Sequence, residues 1–189
     1  MEVSVSDPLR ELLDKAVEGD DRALAELVHR TQVDLWKLCA ALGSKGEEED
    51  LVQETYLRAI RSIGSFRGDS AVRSWLYAIA RNVCADHVRR RVRDRNLIDR
   101  IALRGVAASS PAPELRDELL DTLSPERRDA FALTQVLDLS YDEAAKILDC
   151  PVGTIRSRVS RARADLAALL SQQQSLESEQ DQQQRARRA

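Results

Sequence analysis

CPVGTIRSRVSRARADL, residues 150–166, carries four arginines within eight residues of a segment with helical periodicity. On a projection of about 100° per residue, one side collects the apolar residues, which predicts a helix with one face in a core. These apolar residues are Ile155, Val159, Ala162, Leu166 and Leu169. The opposite side is a small, hydroxyl-rich floor with arginines at its margins, formed by Thr154, Ser157, Ser160 and Ala164. Such a face suits a deep, negatively charged groove, although a solvated basic helix gives the same pattern.

The residues before this segment complete a helix-turn-helix pattern. YDEAAKIL, residues 141–148, reads as a short helix that opens with a capping box of Ser140 and Glu143, and DCPV then forms a tight turn. In such units the second helix enters the major groove of DNA, where arginine can bond guanine through two hydrogen bonds. The candidate contacts, here called the recognition face, are Thr154, Arg156, Ser157, Ser160 and Arg161. Paired helices of this kind also occur as plain packing units.

The net charge of −3 conceals an alternation of acidic and basic blocks. Residues 67–104 sum to +6 and residues 151–170 to +3, whereas residues 1–66 and 105–150 each sum to −6. Binding to nucleic acid follows local basic patches rather than net charge. The two separated basic blocks therefore favour a nucleic-acid partner.

The chain is expected to be all-α, because nearly every periodic segment reads as helix and none shows convincing strand alternation. RGVAASSPAP, residues 104–113, loses apolar periodicity and is typical of a linker. We predict two small helical domains, over residues 7–95 and 114–170, joined by a flexible linker over residues 96–113. The Gln-rich tail, residues 171–189, is of low complexity and is predicted to be disordered.

EEEDLVQETYLRAIRSI, residues 47–63, predicts a helix with a polar outer stripe interrupted by Leu57. The core side is expected to hold Val52, Tyr56, Ala59, Ile60 and Ile63. An apolar residue within a polar stripe suggests a protein-docking surface, although a solvated face with one stray leucine is nearly as compatible. Asp50 and Glu54 stand four residues apart, but neither nearby histidines nor a matching second acidic helix supports a metal or acid–base site.

The following basic helix carries aromatic, amide and arginine groups along one edge, preceded by the loop FRGDS, residues 66–70. This combination suits single-stranded nucleic acid, where bases stack on rings and phosphates meet cations. Trp75 beside an apolar face is also common in a plain core. The run RRRVR, residues 89–93, is dense enough to favour phosphates. The candidate contacts, here called the loop face, are Phe66, Arg67, Asp69, Ser70, Trp75, Asn82, Arg89 and Arg90.

Other features of the composition exclude several classes of protein. No apolar run approaches the roughly 20 residues of a membrane span, and the acidic N-terminus is not a secretory signal, so we expect no membrane insertion and a cytoplasmic location. Three widely spaced cysteines argue against a disulfide framework and a zinc site. No catalytic residues, metal or cofactor are expected.

Both halves together resemble the extracytoplasmic-function (ECF) branch of bacterial sigma factors. The resemblance rests on DLVQETYLRAIRSIGSFRGDSAVRSWLYAIARN and LSPERRDAFALTQVLDLSYDEAAKILDCPVGTIRSR, with the linker between them, and spans roughly residues 7–170. It implies two helical domains that bind core RNA polymerase and read two elements of promoter DNA. Many members of the family are held inactive by an anti-sigma factor, and nothing in this sequence reveals one.

The resemblance also implies roles for particular residues. The helix that docks on the polymerase clamp would contribute a surface, here called the docking face, of Asp50, Gln53, Glu54, Leu57 and Arg58. The loop face would capture the opened −10 element, with the run from Arg89 to Arg93 on its phosphates. The recognition face would read the −35 element. Family members often carry a bulky residue at the position of Ser160, so the −35 contacts here are expected to differ.

Three other classes of protein are weighed against this interpretation. A stand-alone helix-turn-helix regulator needs a dimerisation surface and tight duplex binding without polymerase, and the sequence has no coiled coil or effector pocket. A nuclease needs clustered carboxylates or histidines on the DNA face, which are absent. A purely structural protein leaves both basic blocks unexplained.

Overall fold

A computed structural model describes residues 7–102 and 119–186, which form helices and connecting turns without a strand in either range. The seven α-helices named here are α1 Pro8–Val17, α2 Asp21–Leu42, α3 Glu48–Ser62, α4 Val72–Ala102, α5 Pro125–Phe131, α6 Tyr141–Leu148 and α7 Val152–Ala186. A 3₁₀ turn over Ile63–Ser65 follows α3, and a π-helical segment over Ala132–Val136 follows α5.

The first two helices begin at aspartate caps. The Asp7 carboxylate caps α1, and Pro8 follows at the first helical position, where its missing N–H costs nothing. Asp20 caps α2 through the backbone N–H groups of Arg22 and Ala23. These caps satisfy N–H groups that have no partner inside the helix.

Helices α1 to α4 pack around a shared core in the N-terminal half. Helix α2 lies against α1, α3 and α4. Leu9 and Leu13 anchor α1, and Leu35 and Leu38 line the buried side of α2. Burial of each such side chain stabilises the fold by about 1.5–3 kcal/mol. The packed core holds the surrounding polar loops at fixed positions.

The C-terminal half builds the predicted helix-turn-helix. The capping box is present, since the Ser140 hydroxyl accepts from the Glu143 N–H while the Glu143 carboxylate accepts from the Ser140 N–H. Asp149 ends α6 in the left-handed conformation, with φ of +47°, so that the chain turns sharply into α7. Ile155 and Val159 of α7 are buried, as the projection predicted.

The two halves are in contact. Helix α2 packs against the π-helical segment and α4 packs against α6. Across this contact Arg81 Nε donates to Asp129 Oδ2 at 2.6 Å. Burial raises the pKa of the Asp129 carboxyl, against the lowering effect of Arg81. The interface is therefore both apolar and ion-paired.

Two helices extend into segments for which the sequence predicted a linker or a disordered tail, and the domain bounds stay predictions. Helix α4 continues to Ala102, seven residues past the predicted domain end at residue 95, because no glycine or proline interrupts it before Gly105. Helix α7 continues through Ala186, although disorder was predicted from residue 171. Gln, Glu, Arg and Ala favour helix, and this stretch has no glycine or proline. Residues 103–118 of the predicted linker and second domain, and 187–189 of the tail, lie outside the described residues.

Candidate nucleic-acid interfaces and docking face

The recognition face lies on α7, outside the stripe of residues that this helix buries. Arg156, Ser157, Ser160 and Arg161 are exposed, and Thr154 is half-buried at the first turn of the helix. The Ser157 hydroxyl donates to the Thr154 carbonyl at 2.9 Å, so it lies close to the helix surface. The face therefore has the short side chains of Ser157 and Ser160 in the middle, with Arg156 before them and Arg161 after them in the sequence.

Two further arginines near the start of α7 contact other parts of the C-terminal half. Arg163 donates to Gln135 Oε1 at 2.6 Å, and Arg158 is half-buried with its guanidinium 3.7 Å from the Cys150 sulfur. The recognition face as predicted includes Arg156 and Arg161 and leaves this pair out. Arg156 and Arg161 are both exposed.

The loop face begins with a partly exposed aromatic pair. The rings of Phe66 and Trp75 lie 5.1 Å apart, tilted by 45°, and both side chains are half-buried. Arg67, Asp69 and Ser70, which lie between the two aromatic residues in the sequence, are exposed, and Gly68 takes a positive φ of +78°. The loop face thus combines an aromatic pair with exposed polar groups.

Along α4 the face continues with exposed Asn82, Arg89 and Arg90. Asp86 accepts from Arg89 at 2.6 Å and from Arg58 of α3 at 2.9 Å. These two guanidinium groups, Arg58 foremost, hold the pKa of Asp86 below its usual range. Part of the positive charge of Arg89 is thus balanced within the protein.

The docking face lies on α3, and one prediction about this helix is wrong. Asp50, Gln53 and Leu57 are exposed, while Glu54 is half-buried and accepts from Arg58 at 2.7 Å. Ile60 was expected in the core but is 44% exposed, close in exposure to Leu57 at 49%. Helix α3 instead buries a narrower stripe, because it packs between α2 and α4, through Leu51, Thr55 and Ala59.

Two exposed apolar side chains were missed by the sequence reasoning. Val33 and Trp36 of α2 are 59% and 49% exposed, one turn apart. Their spacing relative to the buried Leu35 and Leu38 was the available signal, since both fall outside that stripe. A tryptophan is usually placed in a core by default.

The described residues hold no cluster of three or more histidine, cysteine, aspartate or glutamate side chains arranged for a metal ion. Cys39 and Cys84 are buried without a disulfide, and Cys150 is half-buried. The neighbouring Cys39 thiol and burial raise the pKa of Cys84, which keeps that thiol protonated. In residues 7–102 and 119–186, no helix has the length and apolar character needed to cross a membrane.

Family models match both halves of the chain. The model described as Sigma-70 region 2 matches residues 27–94, and the one described as Sigma-70, region 4 matches residues 117–166. The first range contains the docking and loop faces, and the second contains the recognition face.

Characterised relatives match over most of their length. The ECF RNA polymerase sigma factor SigC of Mycobacterium tuberculosis is 44% identical over 162 residues, which cover 81% of this chain and 86% of SigC. The ECF RNA polymerase sigma-E factor of Escherichia coli K12 is 36% identical over 169 residues, 80% of this chain and 88% of that protein.

Solved structures agree with these relatives. CnrH, in complex with the cytosolic domain of CnrY, has a TM-score of 0.68 at 30% identity and covers 86% of this chain and 96% of its own. The sigma factor RpoE of Bartonella quintana, in complex with the anti-sigma factor NepR, has a TM-score of 0.62 at 32% identity, with 78% and 95% covered. The chain thus belongs to the ECF branch of RNA polymerase sigma factors, non-catalytic proteins that bind the core enzyme and direct promoter-specific initiation from −10 and −35 elements.

Proposed function

We propose that the three faces divide the work of this sigma factor. The docking face binds core RNA polymerase, the loop face captures the opened −10 element, and the recognition face reads the −35 duplex. The observation that carries the proposal is that each face projects polar or aromatic groups from a helix anchored in the core on its other side. Residues 7–95 and 114–170 are the corresponding functional units.

The recognition face has the shape and charge that a major groove requires. Its low floor of Ser157 and Ser160 lets the helix approach the bases, and Arg156 and Arg161 reach outward from its ends. A guanidinium that bonds one guanine bidentately contributes about 1–3 kcal/mol of discrimination. Thr154, at the first turn, meets a phosphate, where backbone N–H groups also favour an anion.

The loop face combines a ring pair with cations along α4, which suits unpaired bases and their phosphates. Stacking on an aromatic side chain is worth about 1–3 kcal/mol per base. Phe66 and Trp75 are half-buried, so their exposed edges remain available to a base. Asn82 offers hydrogen bonds to a base edge, and Arg90 offers charge to the backbone.

The docking face fits a protein partner because an apolar spot stands within polar surroundings. Leu57 and Ile60 are both about half exposed, and Asp50 and Gln53 border them. A rim of polar groups around a small apolar centre is typical of protein interfaces. Since the partner is RNA polymerase, we place the protein in the cytoplasm. The sigma factor RpoE of Bartonella quintana is bound to the anti-sigma factor NepR, which supports an anti-sigma partner for this chain as well.

The experiment is a pull-down of the full chain with bacterial core RNA polymerase, followed by run-off transcription from a genomic fragment library. Arg161→Ala should weaken transcription that depends on the −35 element about fivefold to a hundredfold, and its matched control is Arg163→Ala, which is braced on Gln135. Asp50→Ala with Leu57→Ala should reduce polymerase binding at native helical content. Tight duplex binding by the chain alone, without polymerase, would instead indicate a stand-alone regulator.

A further inference from the structure

Helix α1 contacts the loop that begins the loop face, although it carries none of the predicted DNA contacts. Its Asp7 carboxylate accepts from the Leu9 N–H at 3.0 Å through Oδ1 and from the Val72 N–H at 2.8 Å through Oδ2. One carboxylate therefore caps the first turns of both α1 and α4. The distance between residues 7 and 72 along the chain makes this a tertiary tie rather than a local cap.

A second contact runs from the same helix to the aromatic pair. The Arg10 guanidinium lies over the Phe66 ring, 5.1 Å from its centroid, and donates through Nε to both Asp14 carboxylate oxygens at 2.9 and 3.1 Å. It also occupies the space next to Gly68, where a Cβ atom would overlap it. Phe66 thus contacts both the Arg10 cation and the Trp75 ring.

The buried apolar side of α1 fixes the position of the helix and so of these contacts. Leu9 and Leu13 are almost fully buried, so the helix cannot shift without exposing them. A side chain fixed by packing holds its neighbours in one geometry, which is what a binding site requires. Because α1 is anchored in the core, its polar residues Asp7 and Arg10 can hold an otherwise exposed loop in place.

We infer that Asp7 and Arg10 are positioning residues for −10 recognition: they fix the conformation of residues 66–72 so that Phe66 and Trp75 present their rings to an unpaired base. This inference rests on the proposed role of the loop face. Without the two contacts the loop would sample several conformations, and base discrimination at the −10 element would fall while −35 recognition stayed intact.

The test compares four variants of the full chain. Arg10→Ala removes the cation, and Arg10→Lys restores a charge over the ring. Asp7→Ser keeps an acceptor for the α1 cap but cannot reach the Val72 N–H. Lys15→Ala is the matched control, because Lys15 forms a 2.7 Å ion pair with Glu11 on the same helix and takes no part in the Asp7–Val72 and Arg10–Phe66 contacts. Each variant is assayed with core polymerase on promoters substituted in the −10 or the −35 element.

We expect Arg10→Ala and Asp7→Ser to lose about two- to fivefold of −10 discrimination, with −35 discrimination unchanged and partial rescue by Arg10→Lys. Equal losses at both elements, or no loss, would overturn the inference. A second readout is acrylamide quenching of Trp75 in a Trp36→Phe background, which leaves one tryptophan. Quenching should rise in Arg10→Ala and Asp7→Ser and not in Lys15→Ala.

Different results would refute the proposed role of the loop face and the positioning role of Asp7 and Arg10. A wild-type chain that binds polymerase without discriminating the −10 element refutes the proposed role of the loop face, whatever the variants do. Unchanged Trp75 quenching in Arg10→Ala refutes the positioning role even if the wild-type chain recognises the element.

Discussion

Arg58 on α3 donates from Nη1 to the Asp86 carboxylate on α4 at 2.9 Å, which ties the docking face to the loop face. The same guanidinium binds Glu54 through Nε at 2.7 Å, and the same carboxylate binds Arg89. A chain of four alternating charges thus runs from the surface assigned to polymerase to the surface assigned to DNA. Its two central members are partly exposed, so solvent screens them.

We predict that a double-mutant cycle on Arg58→Ala and Asp86→Ala gives a coupling energy below about 1 kcal/mol. The pair is partly exposed, and each partner keeps a second ion pair when the other is removed. Urea unfolding monitored by circular dichroism measures the four free energies of unfolding. A coupling of several kcal/mol would mean that the pair is shielded from solvent far more than its exposure implies.

The arginines of α4 should differ in their effect on salt dependence. Arg89 is ion-paired with Asp86, whereas Arg90 is exposed and makes no ion pair among the described residues. We predict that Arg90→Ala lowers the slope of log affinity against log salt by about 0.7, the value for one contact to single-stranded phosphate. Arg89→Ala should lower it less, since Asp86 already balances part of that charge.

The measurement is binding of the polymerase holoenzyme to a promoter fragment with an unpaired −10 region, at several salt concentrations. Arg73→Ala is a useful control, because Arg73 lies on α4 but pairs with Asp34 of α2 at 3.5 Å. Identical slopes for wild type and Arg90→Ala would show that Arg90 makes no phosphate contact.

Thiol chemistry offers a third prediction. Cys39 and Cys84 are fully buried and the pKa of Cys84 is raised by its contact with Cys39 and by burial, so a thiolate rarely forms there. A thiol-specific reagent should label the native protein at Cys150 alone, and Cys150→Ser should be labelled only after denaturation, at two sites. Rapid labelling of native Cys150→Ser would contradict this core.

Helical periodicity predicted most of the fold. Helical spacing of apolar residues placed Ile155 and Val159 in the core, and the capping-box signal located Ser140, because both depend on residues a few positions apart. The continuation of α7 beyond residue 170 was not predicted, since the low complexity of the tail was given more weight than the absence of helix breakers.

Contacts between distant residues could not be predicted from one sequence. Arg81 and Asp129 look like ordinary surface charges, yet they bridge the two halves. The projection placed the four arginines of residues 150–166 at the margins of one face, but it could not predict that Arg163 contacts Gln135 or that Arg158 contacts Cys150. The role of α1 was invisible for the same reason, as its partners lie more than fifty residues away.

The capping box of α6 makes stability dependent on pH. Hydrogen bonds from the Ser140 hydroxyl and then the Ser140 N–H hold the pKa of Glu143 below its usual range. Because the pKa of Glu143 is lower in the folded state, the ionised carboxylate stabilises the fold at pH values above the unfolded-state pKa, which is about 4.3 for glutamate. This stabilisation is lost as the pH falls through the folded-state pKa. Glu143→Ala should therefore destabilise the protein at pH 7 and progressively less below pH of about 4.

Ser140→Ala supplies the comparison. The Ser140 hydroxyl accepts from the Glu143 N–H at 3.2 Å and also donates to the Glu143 carboxylate at 2.6 Å. We expect its loss to cost about 1 kcal/mol at pH 7 and to keep in acid only the part that belongs to the backbone cap, since the bond to the carboxylate is lost when Glu143 is protonated. Thermal or urea unfolding of both variants and the wild type at pH 7 and below the glutamate pKa separates the two contributions. A cost of Glu143→Ala that did not change with pH would mean that side-chain packing, rather than the carboxylate, stabilises the start of α6. The turn into the recognition helix would then not depend on that charge.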